Sequence, residues 1–397
     1  MSRDRRGGTT DDRGPADRYG SVRLPSAVAL LALALTQVPV AAAHGATATG
    51  GLARIHAIAI VLVGVGSLVG AVVLKRTDRV SPTTALYGVL LGVAVAVVGA
   101  VLFEGLAPDP TYTAASMPFP RSWYPPIALA TSLAIAVASF AVVGLRWPTR
   151  PRYALFGTLM GLWIAYPYLF RGTAGTTHPI GYAVVLGTPV AVGYLLWRDA
   201  RHAVRDVLRD PVARRFGLGL GLAIALFFVS VTGYLSVFPE EGFPHEVTVV
   251  VLPTVYQLVT WPTLEIAIPH VPFFLAVSPG LAVVVGLLSA LVGLNGALVA
   301  RHWRLEERAG LARGTAGSAA IVGTCTCGCC GPLVAKVALL AAGPSVAAPL
   351  YWVFVDSASP LSALFIVGSL FLFTGSVVHS IGSASGPDGP SAVTPSD

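Results

Sequence analysis

The sequence has few charged residues and few cysteines for its length. Only 11% of its 397 residues are Asp, Glu, Lys or Arg, against about 25% in an ordinary soluble domain. The four cysteines all fall between positions 325 and 330, which excludes a disulfide scaffold. Apolar residues make up 54% of the chain, and the mean hydropathy is +0.73. Because too little polar surface remains to cover a soluble protein, the sequence predicts an integral membrane protein.

Long apolar runs predict the membrane spans. A helix needs about 20 mostly apolar residues to cross the hydrocarbon core. We therefore expect an all-α, polytopic helical membrane protein in which residues 44 to 380 form a single transmembrane domain. The ten apolar runs cover residues 26 to 43, 55 to 74, 85 to 104, 126 to 145, 153 to 170, 179 to 197, 216 to 237, 278 to 300, 314 to 342 and 360 to 380.

The basic residues are distributed unevenly between the connections. If alternate connections lie on one side of the bilayer, that side holds 22 of the 26 Lys and Arg residues. Basic residues resist translocation and favour the cytoplasmic side. The excess of positive charge therefore indicates orientation in the cell membrane, with a cytoplasmic C-terminus, and no binding to nucleic acid. The segments on this side are the N-terminus, 75 to 84, 146 to 152, 198 to 215, 301 to 313 and a Gly/Ser/Pro-rich tail, 381 to 397, predicted to be disordered.

Two interpretations of residues 1 to 43 remain open. A basic start, a short apolar stretch and Ala41-Ala42-Ala43 are typical of a secretory signal peptide. Cleavage would leave nine spans and a mature chain that begins at His44, whereas a retained anchor would give ten spans. After cleavage, the terminal amine and the imidazole of His44 would together be able to chelate copper. The alternative is a histidine that simply lies near the membrane surface.

Segment 238 to 277 does not have the pattern of a regular span. After an acidic start, residues 238 to 246, it is largely apolar but contains Pro253, Pro262, Pro269 and Pro272, and these four prolines would break a helix. Backbone without hydrogen-bond partners is tolerated at membrane depth only where protein or a water-filled cavity covers it. We therefore expect an outer re-entrant or interfacial element here.

The strongest local signal is the cysteine cluster, Cys325, Cys327, Cys329 and Cys330, which falls within the ninth apolar run. Thiolate is a soft ligand that favours Cu(I), Zn and softer ions over Mg or Ca. Pro332 and the neighbouring glycines loosen the helix, so three or four sulfurs are able to meet at one ion. The sequence predicts a soft-metal site, with copper as the first candidate. The alternative is that the cysteines pack as small apolar side chains.

The segment Cys329-Cys330-Gly331-Pro332-Leu333, followed by a small-residue apolar helix, resembles the vicinal-cysteine first helix of the mercuric transport membrane proteins. The resemblance is local, and it implies that Cys329 and Cys330 accept a metal ion within the membrane. In this chain the motif lies in the penultimate predicted span and is preceded by two further cysteines. The preference for Arg over Lys and the Ala/Val/Gly-rich spans resemble those of multi-pass membrane proteins of halophilic archaea, which implies no activity.

Lys336 is the ionisable residue closest to the cluster on its C-terminal side. It follows Cys329 by seven residues and would share a helical face with it if the helix resumes. A cation in that position would lower the pKa of a thiol. The sequence favours the alternative, in which a lysine near the outer boundary extends its ammonium to the membrane surface.

Histidines and acids collect on the predicted outer side. Imidazole and carboxylate suit Cu(II), Zn, Fe or Ni, so we predict a second, outer metal site that feeds the thiols, with an extracytoplasmic metal or thiol carrier protein as partner. Isolated interfacial histidines are the alternative. Haem would need axial histidines from two spans, for which His56 and His178 are placed; covalent attachment is excluded because there is no C-x-x-C-H motif. The outer histidines are His44, His56, His178, His245 and His270.

Three functions remain from the sequence. The preferred one is a membrane protein that binds or transports a soft or transition metal ion through the cysteine cluster. A second is membrane thiol-disulfide transfer, although such relays generally need partner cysteines and the chain has none outside the cluster. A third is a structural or assembly subunit of a membrane complex. No catalytic residue is predicted, because no Gly-rich phosphate loop, HExxH or G-x-S-x-G motif occurs in a suitable context.

Overall fold

The structure is a computed structural model. Contacts divide the chain into residues 1 to 50 and a main unit of residues 51 to 397. The predicted signal peptide or first anchor and most of the predicted tail lie outside the residues that the structure describes. The described residues are 50 to 107, 113 to 170, 178 to 236, 246 to 256, 259 to 268, 273 to 308, 331 to 356 and 358 to 384.

Helices form most of the described chain, as its apolar composition predicts. A π turn, Leu196–Ala200, joins α5 to α6 without a break, and α11 continues beyond residue 380 into the predicted tail. In chain order the helices are α1 (Gly50–Arg76), α2 (Pro82–Leu106), α3 (Tyr124–Arg146), α4 (Arg152–Leu169), α5 (Pro179–Leu195), α6 (Arg201–Arg209), α7 (Pro211–Val231), α8 (Pro279–Arg308), α9 (Gly331–Ala342), α10 (Pro344–Phe354) and α11 (Pro360–Ala384).

Seven helical segments in the described part of the chain are long and apolar enough to cross a membrane. The predicted span at 153 to 170 is helical, as α4, but is not among the seven. The predicted span at 314 to 342 is described only from Gly331, as the 12 residues of α9. A total of nine or ten spans therefore stays a prediction. The seven are Ile55–Arg76, Pro82–Leu106, Arg121–Arg146, Pro179–Arg209, Pro211–Val231, Pro279–Leu305 and Pro360–His379.

The all-α prediction is wrong between α7 and α8, where the chain forms an antiparallel sheet. Its strand order is β1-β4-β3-β2. The prolines in this segment indicate that the chain is not helical. Val, Thr and Ile dominate the short runs between them and favour strands. The strands are β1 (Leu235–Ser236), β2 (Thr248–Tyr256), β3 (Val259–Ile268) and β4 (Phe273–Val277). That this segment is re-entrant or interfacial remains a prediction.

Two prolines fit into the sheet because they face each other. Pro253 of β2 is directly opposite Pro262 of β3, and β4 pairs with β3 only from Leu264 onward. Proline has no N–H to donate to a ladder, so it is confined to positions where no neighbouring strand needs that donor. The pairing limits the missing donors to one rung, outside the part of β3 that has strands on both sides.

The main core lies between α4, α5, α7, α8 and α11. Gly217 of α7 and Gly293 of α8 bring the two backbones together, since a Cβ built on either glycine would lie 2.6 Å from the carbonyl oxygen of the other. The amide of Asn295 donates to the carbonyls of Leu291 and Phe373 at 2.8 and 3.1 Å, and so ties α8 to α11. Small residues and interhelical hydrogen bonds are the means by which helices associate in a bilayer.

The connections rich in arginine meet at one end of the bundle, which we call the basic end. It comprises the described parts of 75 to 84, 146 to 152, 198 to 215 and 301 to 313. Contacts join these segments in pairs, as expected if all four lie on one side of a membrane. They are Lys75 over the Trp303 ring at 4.9 Å, Arg152 Nε with Asp199 at 2.8 Å, Arg301 with Asp206 at 3.4 Å, and Arg304 with Asp210.

Candidate functional site

The four predicted metal ligands Cys325, Cys327, Cys329 and Cys330 lie outside the described residues. The structure resumes at Gly331, which directly follows Cys330 and is the first residue of α9. Of the candidate site, the structure therefore describes only the helix that follows the cysteines, α9, and the residues that α9 contacts.

The first turn of α9 is held tightly against its neighbours. A Cβ on Gly331 would lie 2.4 Å from the Cβ of Phe354, at the end of α10. Only glycine allows this approach, because any side chain would displace the neighbouring helix. Leu333 packs against a small buried cluster that contains Ala57 of α1 and Phe103 of α2. The start of α9 is thereby attached to the ends of α1, α2 and α10.

A buried ion pair lies beside this attachment. The Nζ atom of Lys336 is 2.8 Å from Oε1 of Glu104 and 3.0 Å from the Glu104 carbonyl oxygen. Glu104 is in the last turn of α2, where carbonyl groups have no partner within the helix. The negative end of the helix dipole therefore also stabilises the ammonium group. The side chain of Lys336 is only 9% exposed and binds Glu104, a partner that the sequence did not predict. That the ammonium lies at the level of the membrane surface stays a prediction.

The histidines predicted for the outer site have separate environments where they are described. His56 is exposed and precedes Ala57, which belongs to the same cluster as Leu333. His178 caps α5, accepting from the N–H of Ile180 at Nδ1 (3.3 Å), and its ring stacks on Phe170. His44, His245 and His270 lie outside the described residues. Among the residues that the structure does describe, no group of three His, Cys, Asp or Glu could hold a metal ion.

A second polar cluster joins the ends of three helices, at the end of the bundle opposite the basic end. Asp356 accepts hydrogen bonds from Tyr124 at 3.3 Å, from Arg121 at 3.4 Å and from the N–H of Ala358 at 3.0 Å. The hydroxyl of Tyr168 donates to the Ala358 carbonyl. With these donors in place the carboxylate is satisfied, and its role is to hold the ends of α3, α4 and α11 together.

Sequence reasoning missed both of these charged pairs. The available signal was an acid or a lysine within an otherwise apolar stretch, which Glu104, Lys336 and Asp356 all share. Their partners are more than 200 positions away in the chain, so only the fold reveals them.

Comparisons with known proteins add no identity to this description. By length and hydropathy the chain is a multi-pass helical membrane protein, and its apolar helices imply association with a lipid bilayer. No protein-family model, no curated protein and no solved structure matches it.

Proposed function

We propose that the protein binds a soft or transition metal ion, with copper as the first candidate, and moves it across the cell membrane through Cys325, Cys327, Cys329 and Cys330. The observation that carries the proposal is the place of these thiols in the chain: all four come directly before the helix whose Lys336 is buried against Glu104. In this proposal the basic end faces the cytoplasm.

The ion pair lies close in the chain to the proposed thiolate site, because Lys336 is six positions after Cys330. A monovalent ion held by two thiolates has a net negative charge, which is costly in a low-dielectric environment unless a cation lies near it. The charge of Lys336 is balanced by the Glu104 carboxylate, so in this proposal the ammonium offsets the thiolates only when Glu104 takes up a proton. Its bond to the Glu104 carbonyl would hold the ammonium in place during that change.

The position of His56 supports an entry site near the same helix. Its neighbour Ala57 and the residue Leu333, three positions after Cys330, pack in one cluster. The exposed imidazole of His56 is therefore available to receive an ion from an extracytoplasmic carrier before soft thiolates bind it. The proposal uses His56 in this way and not as a haem ligand.

The test is metal binding by the purified full-length protein. Wild-type protein under reducing, anaerobic conditions should take Cu(I) from a chromophoric chelator, and the variant with all four cysteines changed to Ser should not. A His56→Ala variant serves as the matched control, because it should keep the stoichiometry and lose only transfer from a carrier. Equal Cu(I) binding by the four-Ser variant, at an unchanged melting temperature, would overturn the proposal.

The same preparations distinguish the other two functions. A mixed disulfide trapped between the cluster and a thiol protein, without metal binding, would instead indicate thiol-disulfide transfer. A stable complex that co-purifies with both the wild type and the four-Ser variant, free of metal in each, would indicate a structural subunit.

A further inference from the structure

An open groove of about 540 Å³ runs along one face of the continuous helix from Gly193 to Arg209, at the basic end. Its first part is apolar, with Leu196 and Trp197. Its second part is lined by Arg201, Arg205 and Arg209 beside Val204 and Leu208. The guanidinium groups are therefore confined to one part of the groove, as the phosphates of a bilayer are confined to the edge of its acyl region.

The π turn Leu196–Ala200 keeps the two parts on one face. Positions four apart drift around an ordinary helix because each turn takes about 3.6 residues. A π turn is wider, with i→i+5 hydrogen bonding, and it offsets this drift between Trp197 and Arg201. The three arginines then follow at four-residue intervals, the spacing at which side chains on a helix are neighbours.

The acids closest to these arginines are already paired with another helix. Asp206 binds Arg301 at 3.4 Å, and Asp210 binds Arg304, both from α8. Arg201 donates from Nε to His202, and within the described ranges neither Arg205 nor Arg209 forms an ion pair. In the part of the chain that the structure describes, no carboxylate thus forms an ion pair with the three guanidinium groups of the groove.

The face of α6 opposite the groove packs against the first turns of α2 and the last turns of α8, so the groove lies level with these helix ends. Val207 is fully buried, in one cluster with Leu86 from the first turns of α2 and with Trp303 of α8. The arginines of α6 consequently lie where the span of α2 begins. Trp197, 70% exposed beside them, has the place that tryptophan prefers at a membrane interface.

We propose that this groove binds an anionic phospholipid of the leaflet at the basic end. Arg201, Arg205 and Arg209 bind the phosphate, and Trp197 and Leu196 contact the glycerol and the first part of an acyl chain. Guanidinium forms paired hydrogen bonds with phosphate oxygens, and clusters of basic residues next to a span attract anionic lipids. The apolar half of the groove favours a lipid over a soluble phosphate, which would leave Trp197 and Leu196 without a contact.

The experiment titrates brominated phosphatidylglycerol into the full-length protein in neutral detergent and follows quenching of tryptophan fluorescence. Quenching should saturate, and the saturable part should be absent in a Trp197→Phe variant. Changing Arg201, Arg205 and Arg209 together to Gln should weaken the apparent affinity by a factor of ten or more, since each basic residue near anionic lipid contributes several-fold. Changing the three to Lys should retain part of the affinity.

The matched control changes three other exposed arginines of the basic end, Arg76, Arg79 and Arg146, to Gln. It removes the same charge and should leave the affinity unchanged. An equal loss in this control, or equal quenching by brominated phosphatidylcholine, would overturn the proposal in favour of general electrostatic attraction or of ordinary lipid contact. Displacement of the lipid by an equal concentration of inorganic phosphate would also overturn it, by showing that the ligand is a soluble phosphate.

Discussion

The Lys336 ammonium lies 2.8 Å from a carboxylate oxygen of Glu104, and the two side chains are only 9% and 12% exposed. The pair connects the last turn of α2 to the middle of α9, the helix that begins directly after Cys330. Removal of both charges from water is costly, and each charge compensates the other. The position of α9 therefore depends on this contact.

We expect single substitutions of the pair to destabilise the protein more than the double substitution does. Lys336→Met removes the cation from beside a buried carboxylate, and Glu104→Gln removes that carboxylate from beside the buried ammonium; each should cost about 3–5 kcal/mol. The double variant removes both charges together and should recover most of this loss. Thermal unfolding in detergent would measure all three variants.

The matched control for these three variants is Lys75→Met, at the only other lysine in the sequence. Lys75 lies over the Trp303 ring at 4.9 Å, so its loss should cost about 0.5–2 kcal/mol. If the double variant lost as much stability as the two single variants together, the two residues would not act as a pair.

Hydropathy predicts where most helices lie, because the need to cover the hydrocarbon core leaves a long apolar run in the sequence itself. The run at 85 to 104 appears as α2, and the run at 360 to 380 appears as α11. Both predictions need only local composition. The four basic connections also meet at one end, which the alternation of charge predicts.

Local composition did not predict the sheet or the buried pairs. In the segment of β2 and β3, proline signals a break in a helix, and the signal for strands comes from Val and Thr, which also occur in the spans. For Lys336, both interpretations considered from the sequence concerned the membrane surface or a nearby thiol. Its partner Glu104 is 232 positions away, and no local pattern indicates a contact over that distance.

Helices α7 and α8 approach so closely at Gly217 and Gly293 that we expect neither position to tolerate a methyl group. A Cβ on Gly293 would lie 2.6 Å from the carbonyl oxygen of Gly217, and a backbone atom cannot move aside as a side chain does. We expect Gly293→Ala to separate the helices and to cost about 1–3 kcal/mol, as overpacking does elsewhere. The measurement is the melting temperature of the purified protein.

Gly286→Ala provides the matched control within the same helix. No atom from another helix lies within 4 Å of a Cβ at this position, and alanine favours a helix over glycine by about 1 kcal/mol. The control should therefore be neutral or slightly stabilising. Equal melting temperatures for Gly293→Ala and Gly286→Ala would show that the two helices do not approach as closely as described.

We expect Asp356→Asn to lower the stability of the protein through the hydrogen bonds of Asp356. Its Oδ2 accepts from both Tyr124 and Arg121, while Oδ1 accepts from the N–H of Ala358. In Asp356→Asn an amide NH₂ replaces one of these oxygens and opposes donors, so we expect a cost of about 1–3 kcal/mol for the unsatisfied groups. Tyr124→Phe removes one donor and should cost about 0.5–1.5 kcal/mol.

The control for Asp356→Asn is the same substitution at Asp78, an exposed residue in a turn with φ of 53°. Asparagine tolerates this left-handed conformation as aspartate does, so Asp78→Asn should change stability by no more than about 0.5 kcal/mol. If Asp356→Asn had as little effect as this control, its carboxylate would not hold α3, α4 and α11 together. A loss confined to Asp356→Asn and Tyr124→Phe would instead assign that role to the buried carboxylate, because only these two variants disturb its hydrogen bonds.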